Sequence, residues 1–205
     1  MRIGIFGGTF DPPHLGHLIP VAAAADQAQL DQVWLMPTYI PPHKFRSDIT
    51  DPYHRTAMVA LAIQSYPAFR LSTYELTLGK MSYTVDTINQ LKKSLPKEDT
   101  IHFIVGTDSF LEIDTWHEWQ NLIQLCDFII INRGTGEKEL NQKLEYLENA
   151  LQTQLRNKFL FAKTPYLPIS STEIRAVASR KESLAGLVSP EVALYIERHA
   201  LYQRR

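Results

Sequence analysis

Cysteine is nearly missing from this chain: Cys126 stands alone among 205 residues. A lone thiol excludes an intrachain disulfide and suits a reducing compartment, so a cytoplasmic location is expected. Its neighbours, Leu125 and the run Phe128-Ile129-Ile130-Ile131, make it a small core residue rather than a nucleophile. An excess of either charge is missing too. The 21 Lys and Arg nearly balance 22 Asp and Glu, for a formal net charge of −1. No global field therefore draws nucleic acid or an anionic membrane, and neither is an expected partner. Any polyanion must be met by local positive groups. No stretch reaches the roughly 20 apolar residues of a membrane span. The N-terminus lacks the basic region and long apolar core of a secretory signal, and strand-forming residues begin at Arg2. Two nucleotide motifs are also absent. Without G-x-G-x-x-G after the first strand, a dinucleotide-using oxidoreductase loses its support; without G-x-x-x-x-G-K-[ST], so does a P-loop phosphotransferase. There is no internal repeat, low-complexity tract or linker, so residues 1–205 are expected to form a single domain.

What is present is an alternation of short β-rich runs with longer helical ones. Strands are expected at Arg2–Phe6, Gln32–Met36, Phe69–Ser72, Thr100–Val105, Phe128–Asn132 and Lys158–Ala162. Helices are expected at Leu15–Gln29, Tyr53–Ser65, Thr84–Leu95, Thr107–Ile113, Glu137–Arg156, Ser171–Ser179 and Pro190–His199. The pattern predicts an α/β fold, a Rossmann-like doubly wound parallel sheet with a small helical C-terminal part. Several strands are almost wholly apolar, as strands covered on both faces are. Ligands of such sheets bind at the carboxyl ends of strands, where the strand order reverses. Leu140, Leu144, Leu147, Leu151 and Leu155 fall at helical spacing. With only two heptads they read as one amphipathic helix packed on the sheet rather than a coiled coil.

The most informative stretch is Gly7-Gly8-Thr9-Phe10-Asp11-Pro12-Pro13-His14-Leu15-Gly16-His17, directly after the first strand. The glycines let a phosphate approach the main chain, where Thr9 and Phe10 offer N–H groups at a helix start. His14 and His17 share one face of the first helical turn, and Gly16 again permits close approach. The pair can be read as zinc ligands, which would need further Cys, His or carboxylate partners, or as hydrogen-bond donors to phosphate oxygens. Further on, Ser170 to Glu173 has the spacing of a capping box, which predicts a helix start with outward N–H groups at Ser171 and Arg175 one turn on. This element reads either as an ordinary capped surface helix or as a second phosphate site. Asp108, after Gly106, fits a ribose contact or a helix N-cap.

Together these segments resemble the nucleotidylyltransferase superfamily, whose core is a (T/S)-x-x-H-x-G-H motif. The version here is most similar to the bacterial nicotinate-nucleotide adenylyltransferases. Pro41-Pro42-His43-Lys44, Ser82-Tyr83-Thr84, Gly106-Thr107-Asp108-Ser109, Thr115-Trp116 and Ile169-Ser170-Ser171-Thr172-Glu173-Ile174-Arg175 resemble that family's later motifs, in family order. The resemblance implies adenylyl transfer from ATP to nicotinate mononucleotide, with Mg²⁺ carried by ATP and no protein metal ligand. It implies catalytic roles for His14, His17, Lys44 and Arg175, with Arg46 as a further cation beside Lys44. ATP would be held by Gly7, Gly8, Thr9, Phe10, His17, Gly106, Asp108, Arg133, Ile169, Ser170, Ser171 and Arg175. Nicotinate mononucleotide would meet Lys44, Tyr83, Thr84, Trp116 and His117, the last standing where many family members carry tyrosine. A helix dipole at Thr84 contributes only roughly 0.3–1 kcal/mol, up to about 2. Strong preference for the acid over the amide would need desolvated N–H donors that an amide leaves unpaired. Relatives acting on phosphopantetheine fit less well, because of the Ser82-Tyr83-Thr84 and Thr115-Trp116 segments. The retained histidines speak against a nucleotide sensor without catalysis.

Overall fold

A computed structural model describes residues 1–40, 49–132 and 134–203. Among them, six strands form one sheet: β1 (Arg2–Gly8), β2 (Gln32–Pro37), β3 (Phe69–Leu71), β4 (Thr100–Gly106), β5 (Asp127–Ile131) and β6 (Phe159–Ala162). Their order is β3-β2-β1-β4-β5-β6, a doubly wound arrangement whose order reverses between β1 and β4. The pairs β1–β4, β4–β5 and β5–β6 are parallel, with Ile3 opposite Ile101, Val105 opposite Ile130 and Ile131 opposite Ala162. The expected fold class is therefore the observed one.

The helices are α1 (Leu15–Gln27), α2 (Pro52–Ala62), α3 (Tyr74–Leu78), α4 (Thr84–Ser94), α5 (Thr107–Leu111), α6 (Trp119–Leu125), α7 (Glu137–Leu151), α8 (Ser171–Ser179) and α9 (Pro190–Arg198). Strand ends agree with the sequence reading to within a residue or two, but several helices stop earlier. Gln29 and Gln152 take left-handed φ angles of 51° and 50°, so α1 and α7 close before the apolar spacing does. Leu155 is buried all the same, outside α7, with its N–H donating to Glu148 Oε1 at 2.8 Å. The short helices α3 and α6 were not expected, since five and seven residues are too few for a 3.6-residue period to emerge. No helix among the described residues is long and apolar enough to cross a membrane.

The chain divides into two compact units. The first comprises Met1–Phe6, Pro20–Val33 and Tyr83–Tyr166. Its core is aromatic: the Phe128 and Phe159 rings stack at 5.1 Å, and Phe110 meets Phe159 and Phe161 edge-on at 5.5 Å. Leu140, Leu144 and Leu147 bury one stripe of α7, as the amphipathic reading requires. Cys126 lies in this core, and burial pushes its thiol up to about 12, so it is packing and not a nucleophile.

The second unit comprises Gly7–Ile19, Trp34–Ser82 and Leu167–Arg205. It buries Phe10, Leu18, Met58, Val59, Ile174, Val192 and Ile196. Both expected caps are present: the Ser170 hydroxyl accepts from Glu173 N–H at 3.1 Å to open α8, and Ser189 accepts from Val192 N–H at 3.4 Å to open α9, with Pro190 in the first turn. The helical C-terminal part does not stand apart within this unit, because α9 packs on α2.

Candidate functional site

In the second unit, the chain leaves β1 through Gly7-Gly8 and turns sharply before α1. Phe10 makes the turn with φ +51°, a left-handed conformation that costs a non-glycine residue roughly 1–2 kcal/mol. The Asp11–Pro12 bond is cis. His14 is 4% exposed, and its ring stacks on that of His17 with centroids 3.6 Å apart and planes 25° apart. Phe10 meets His17 edge-on at 5.4 Å. The two imidazoles expected at one corner are thus brought together. His14 N–H donates to His17 Nδ1 at 3.3 Å, so the ring proton of a neutral His17 belongs on Nε2. Rings stacked face to face do not converge as chelating imidazoles do. Among the described residues, no group of three or more His, Cys, Asp and Glu is placed to hold a metal ion.

At two of the glycines the protein's own side chains come close to where a Cβ would stand. A Cβ on Gly8 would lie 3.2 Å from Phe10 Cζ. One on Gly16 would lie 3.0 Å from His14 Nδ1 and 3.2 Å from Ile169 Cβ. Glycine at position 16 thus lets His14 and Ile169 lie against the helix start without yielding a few tenths of an ångström to a side chain.

Asp11 is the hub of this turn, and sequence reasoning passed it over. Buried, it accepts at Oδ1 from the Tyr202 hydroxyl (2.8 Å) and at Oδ2 from Thr50 N–H (3.2 Å). Burial, then the neighbouring Asp11 charge, raises the Tyr202 hydroxyl above the ordinary tyrosine range, which keeps it a donor. The Asp11 carbonyl accepts from Arg175 Nη1 at 2.7 Å, and Arg175 Nη2 donates to Thr172 Oγ1 at 3.2 Å. The Ser171 hydroxyl donates to the Pro12 carbonyl at 2.9 Å. Residues expected to face outer phosphates thus also fasten α8 to the loop that carries the histidines. Glu173 is exposed at the start of α8, with its N–H taken up by the Ser170 cap.

A second residue that the sequence reading missed is Arg55, on α2. It has no exposed surface. Its Nε donates to the Thr50 carbonyl (2.9 Å), Nη1 to Thr9 (2.6 Å), and Nη2 to Thr38 (2.7 Å) and Tyr39 (3.0 Å). Desolvation lowers its pKa, opposed by the charge of Asp11. The only sequence hint is one arginine in a helix otherwise turning apolar toward Met58, Val59 and Ala62.

The first unit holds the other predicted residues. The Tyr83 and His117 rings lie 4.2 Å apart, tilted by 33°. Tyr83 is half-exposed and extended at the N-cap of α4, so Thr84 begins a helix whose first turn has no side-chain cap. His117 Nε2 is 3.8 Å from Glu118 Oε1. Trp116 is turned edge-on to Phe103 at 6.1 Å. Asp108 is not the cap of α5: the helix begins after Gly106, which leaves Asp108 in its first turn. Beside it, the Thr135 hydroxyl donates to Thr107 Oγ1 at 2.9 Å. Lys44, Arg46 and Arg133 lie outside the described residues.

The cytidylyltransferase-like family pattern matches residues 5–177 of this chain. The nicotinate-nucleotide adenylyltransferase of Bacillus subtilis (strain 168) is 39% identical over 202 residues, spanning 98% of this chain and 98% of that protein. The fold is similar to that of the Plasmodium falciparum nicotinic acid mononucleotide adenylyltransferase. Its complex with NaAD has a TM-score of 0.79 at 23% identity, covering 98% of this chain and 97% of that one. Its complex with APC has a TM-score of 0.77 at 22% identity, covering 98% and 96%.

Proposed function

Because the chain belongs to the cytidylyltransferase-like family, and within it to the nicotinate-nucleotide adenylyltransferases, we infer that it transfers the adenylyl group of ATP to nicotinate mononucleotide, forming nicotinate adenine dinucleotide and pyrophosphate in NAD biosynthesis. The observation that carries this reading is the paired His14 and His17 rings, stacked at 3.6 Å on the turn that follows β1.

A phosphate oxygen of nicotinate mononucleotide attacks the α-phosphorus of ATP. The new P–O bond forms as the bond to the β-phosphate oxygen breaks, and pyrophosphate leaves in line. A phosphomonoester is largely a dianion at neutral pH, so the nucleophile needs no base to remove a proton. The protein's work is alignment and stabilisation of negative charge. His17 Nε2–H, His14 and the N–H groups of Thr9 and Phe10 meet the α-phosphate. The start of α8, with Ser170, Ser171 and Arg175, takes the leaving pyrophosphate, where helix N–H groups favour an anion. The resemblance gives Lys44 and Arg133 their roles at the phosphates and the adenosine, Gly7, Gly8 and Ile169 theirs along the triphosphate, and Gly106 and Asp108 theirs at the ribose. Tyr83, Thr84, Trp116 and His117 serve the pyridine end, the first turn of α4 facing the nicotinate carboxylate.

Mg²⁺ would be held by the ATP phosphates and water, with no protein ligand, and would supply neutralisation of part of the phosphate charge. Carriage by the nucleotide and water suits a magnesium ion, and it suits a chain whose buried Asp11 is already engaged by Tyr202 and Thr50. Since ATP is a cytoplasmic metabolite, we place the reaction in the cytoplasm. Residues 1–205 act as one nucleotidylyltransferase domain, a reading supported by the family match running through segments of both units. A pyrophosphate-release assay with ATP and nicotinate mononucleotide, run beside nicotinamide mononucleotide, tests the assignment. Release with the acid and much slower release with the amide is expected; equal rates would remove the acid specificity, and no release with either would remove the function.

A further inference from the structure

A fully buried guanidinium whose hydrogen bonds among the described residues go to main-chain carbonyls, with Asp11 and Asp51 acting only as neighbouring charges, is an expensive choice for a helix that needs only to pack. Arg55 instead spends its fork on four main-chain carbonyls from three separate segments: Thr9 after β1, Thr38 and Tyr39 after β2, and Thr50 before α2. The contact with Thr9 is the one that reaches the chemistry. In a planar trans peptide the carbonyl and the next N–H point in opposite directions. Capturing the Thr9 oxygen at 2.6 Å from the α2 side therefore fixes the direction of Phe10 N–H as well. It also holds Phe10 in its left-handed conformation, which a residue with a side chain keeps only when its surroundings over-determine it.

We propose that Arg55 is a positioning residue for adenylyl transfer: it sets the Thr9–Phe10 peptide so that the amide edge of the turn is aligned on the α-phosphate before the transition state forms. This rests on the reading of that turn as the α-phosphate site. Misalignment by about 1 Å in such a site is enough to cost on the order of 100-fold in rate.

The test is Arg55→Lys, which keeps a buried cation but loses the planar fork. It is compared with Leu144→Ala, a core truncation in the other unit, in the pyrophosphate-release assay, with both melting temperatures measured. The expected result is a fall in kcat of about 10- to 100-fold for Arg55→Lys, with KM for nicotinate mononucleotide within twofold of wild type, while Leu144→Ala keeps its kcat despite a lower Tm. A kcat for Arg55→Lys within about threefold of wild type, or an equal loss in Leu144→Ala, overturns the proposal. An inert wild type would instead overturn the proposed function. A readout independent of turnover and of the variant's folding is the Arg55 Nε–H resonance of the wild type. It should shift on adding a non-hydrolysable ATP analogue and stay put with nicotinate mononucleotide alone; a resonance unmoved with the analogue bound overturns the positioning role.

Discussion

The Tyr202 hydroxyl donates to Asp11 Oδ1 at 2.8 Å, so a residue near the C-terminal end fastens the turn that carries both histidines. Both are in the second unit, and Asp11 passes the restraint on, since its carbonyl holds Arg175. Tyr202→Phe deletes the donor and leaves a buried carboxylate with the Thr50 N–H. A hydrogen bond to a charged group contributes about 1.5–3 kcal/mol, so urea unfolding should show a loss of that size. Pyrophosphate release should slow severalfold as Asp11 and Arg175 loosen. A phenylalanine variant as stable and as active as wild type would show that the bond is not a restraint.

His17→Ala addresses the chemistry directly. Phe10 and His14 both pack on this ring, but the variant loses a half-exposed side chain, so the fold should survive. Loss of one donor aimed at developing charge costs on the order of 10²–10³ in rate. The far-ultraviolet circular dichroism spectrum should match wild type while kcat falls by that factor. Turnover within threefold of wild type would take the phosphate role away from His17.

Gly16 separates the two histidines, and its reason is steric. A methyl group there would stand 3.0 Å from His14 Nδ1 and 3.2 Å from Ile169 Cβ. Both neighbours belong to the proposed phosphate site. Gly16→Ala should therefore displace the His14 ring and cost activity out of proportion to stability: alanine is the better helix former by about 1 kcal/mol, which offsets part of the clash. Thermal melts beside kcat measurements would show the split. Unchanged kcat would mean that His14 tolerates displacement.

The parts legible in the sequence were those with a local signature. The all-apolar strands, the alternation with helices, and the caps at Ser170 and Ser189 depend on residues close together in the chain, and the structure carries all of them. His14 and His17 were legible for the same reason: three residues apart at a helix start, they had to share a face. Arg55, Asp11 and Tyr202 were not legible as partners. The hydrogen bonds from Arg55 to Thr9 and from Tyr202 to Asp11 join positions 46 and 191 residues apart, and no spacing rule covers such distances. The contacts of Gly8 and Gly16 were not legible for a related cause: a missing Cβ announces close approach, but not whether the neighbour is a ligand or the protein's own ring.

His102 gives the first unit a dependence on pH that has nothing to do with catalysis. It sits on β4, buried, with Nε2 3.2 Å from Thr100 Oγ1 and Nδ1 3.9 Å from Asp127 Oδ2. Desolvation lowers its pKa below the ordinary 6.5 and the charge of Arg2 lowers it further, with Asp127 opposing. The unfolded chain, where His102 titrates near its ordinary value, therefore takes up a proton that the folded chain refuses. The stability tied to a neutral His102 is complete above about pH 6.5 and drains away as the pH falls from there toward the depressed folded value. One differential proton is worth up to about 1.4 kcal/mol per pH unit. Urea unfolding at pH 7.5, 6.5 and 5.5 should thus show wild-type stability falling more steeply on the acid side than that of His102→Gln, which cannot titrate there. Parallel slopes for the two proteins would mean that the buried imidazole accepts its proton without opening the fold.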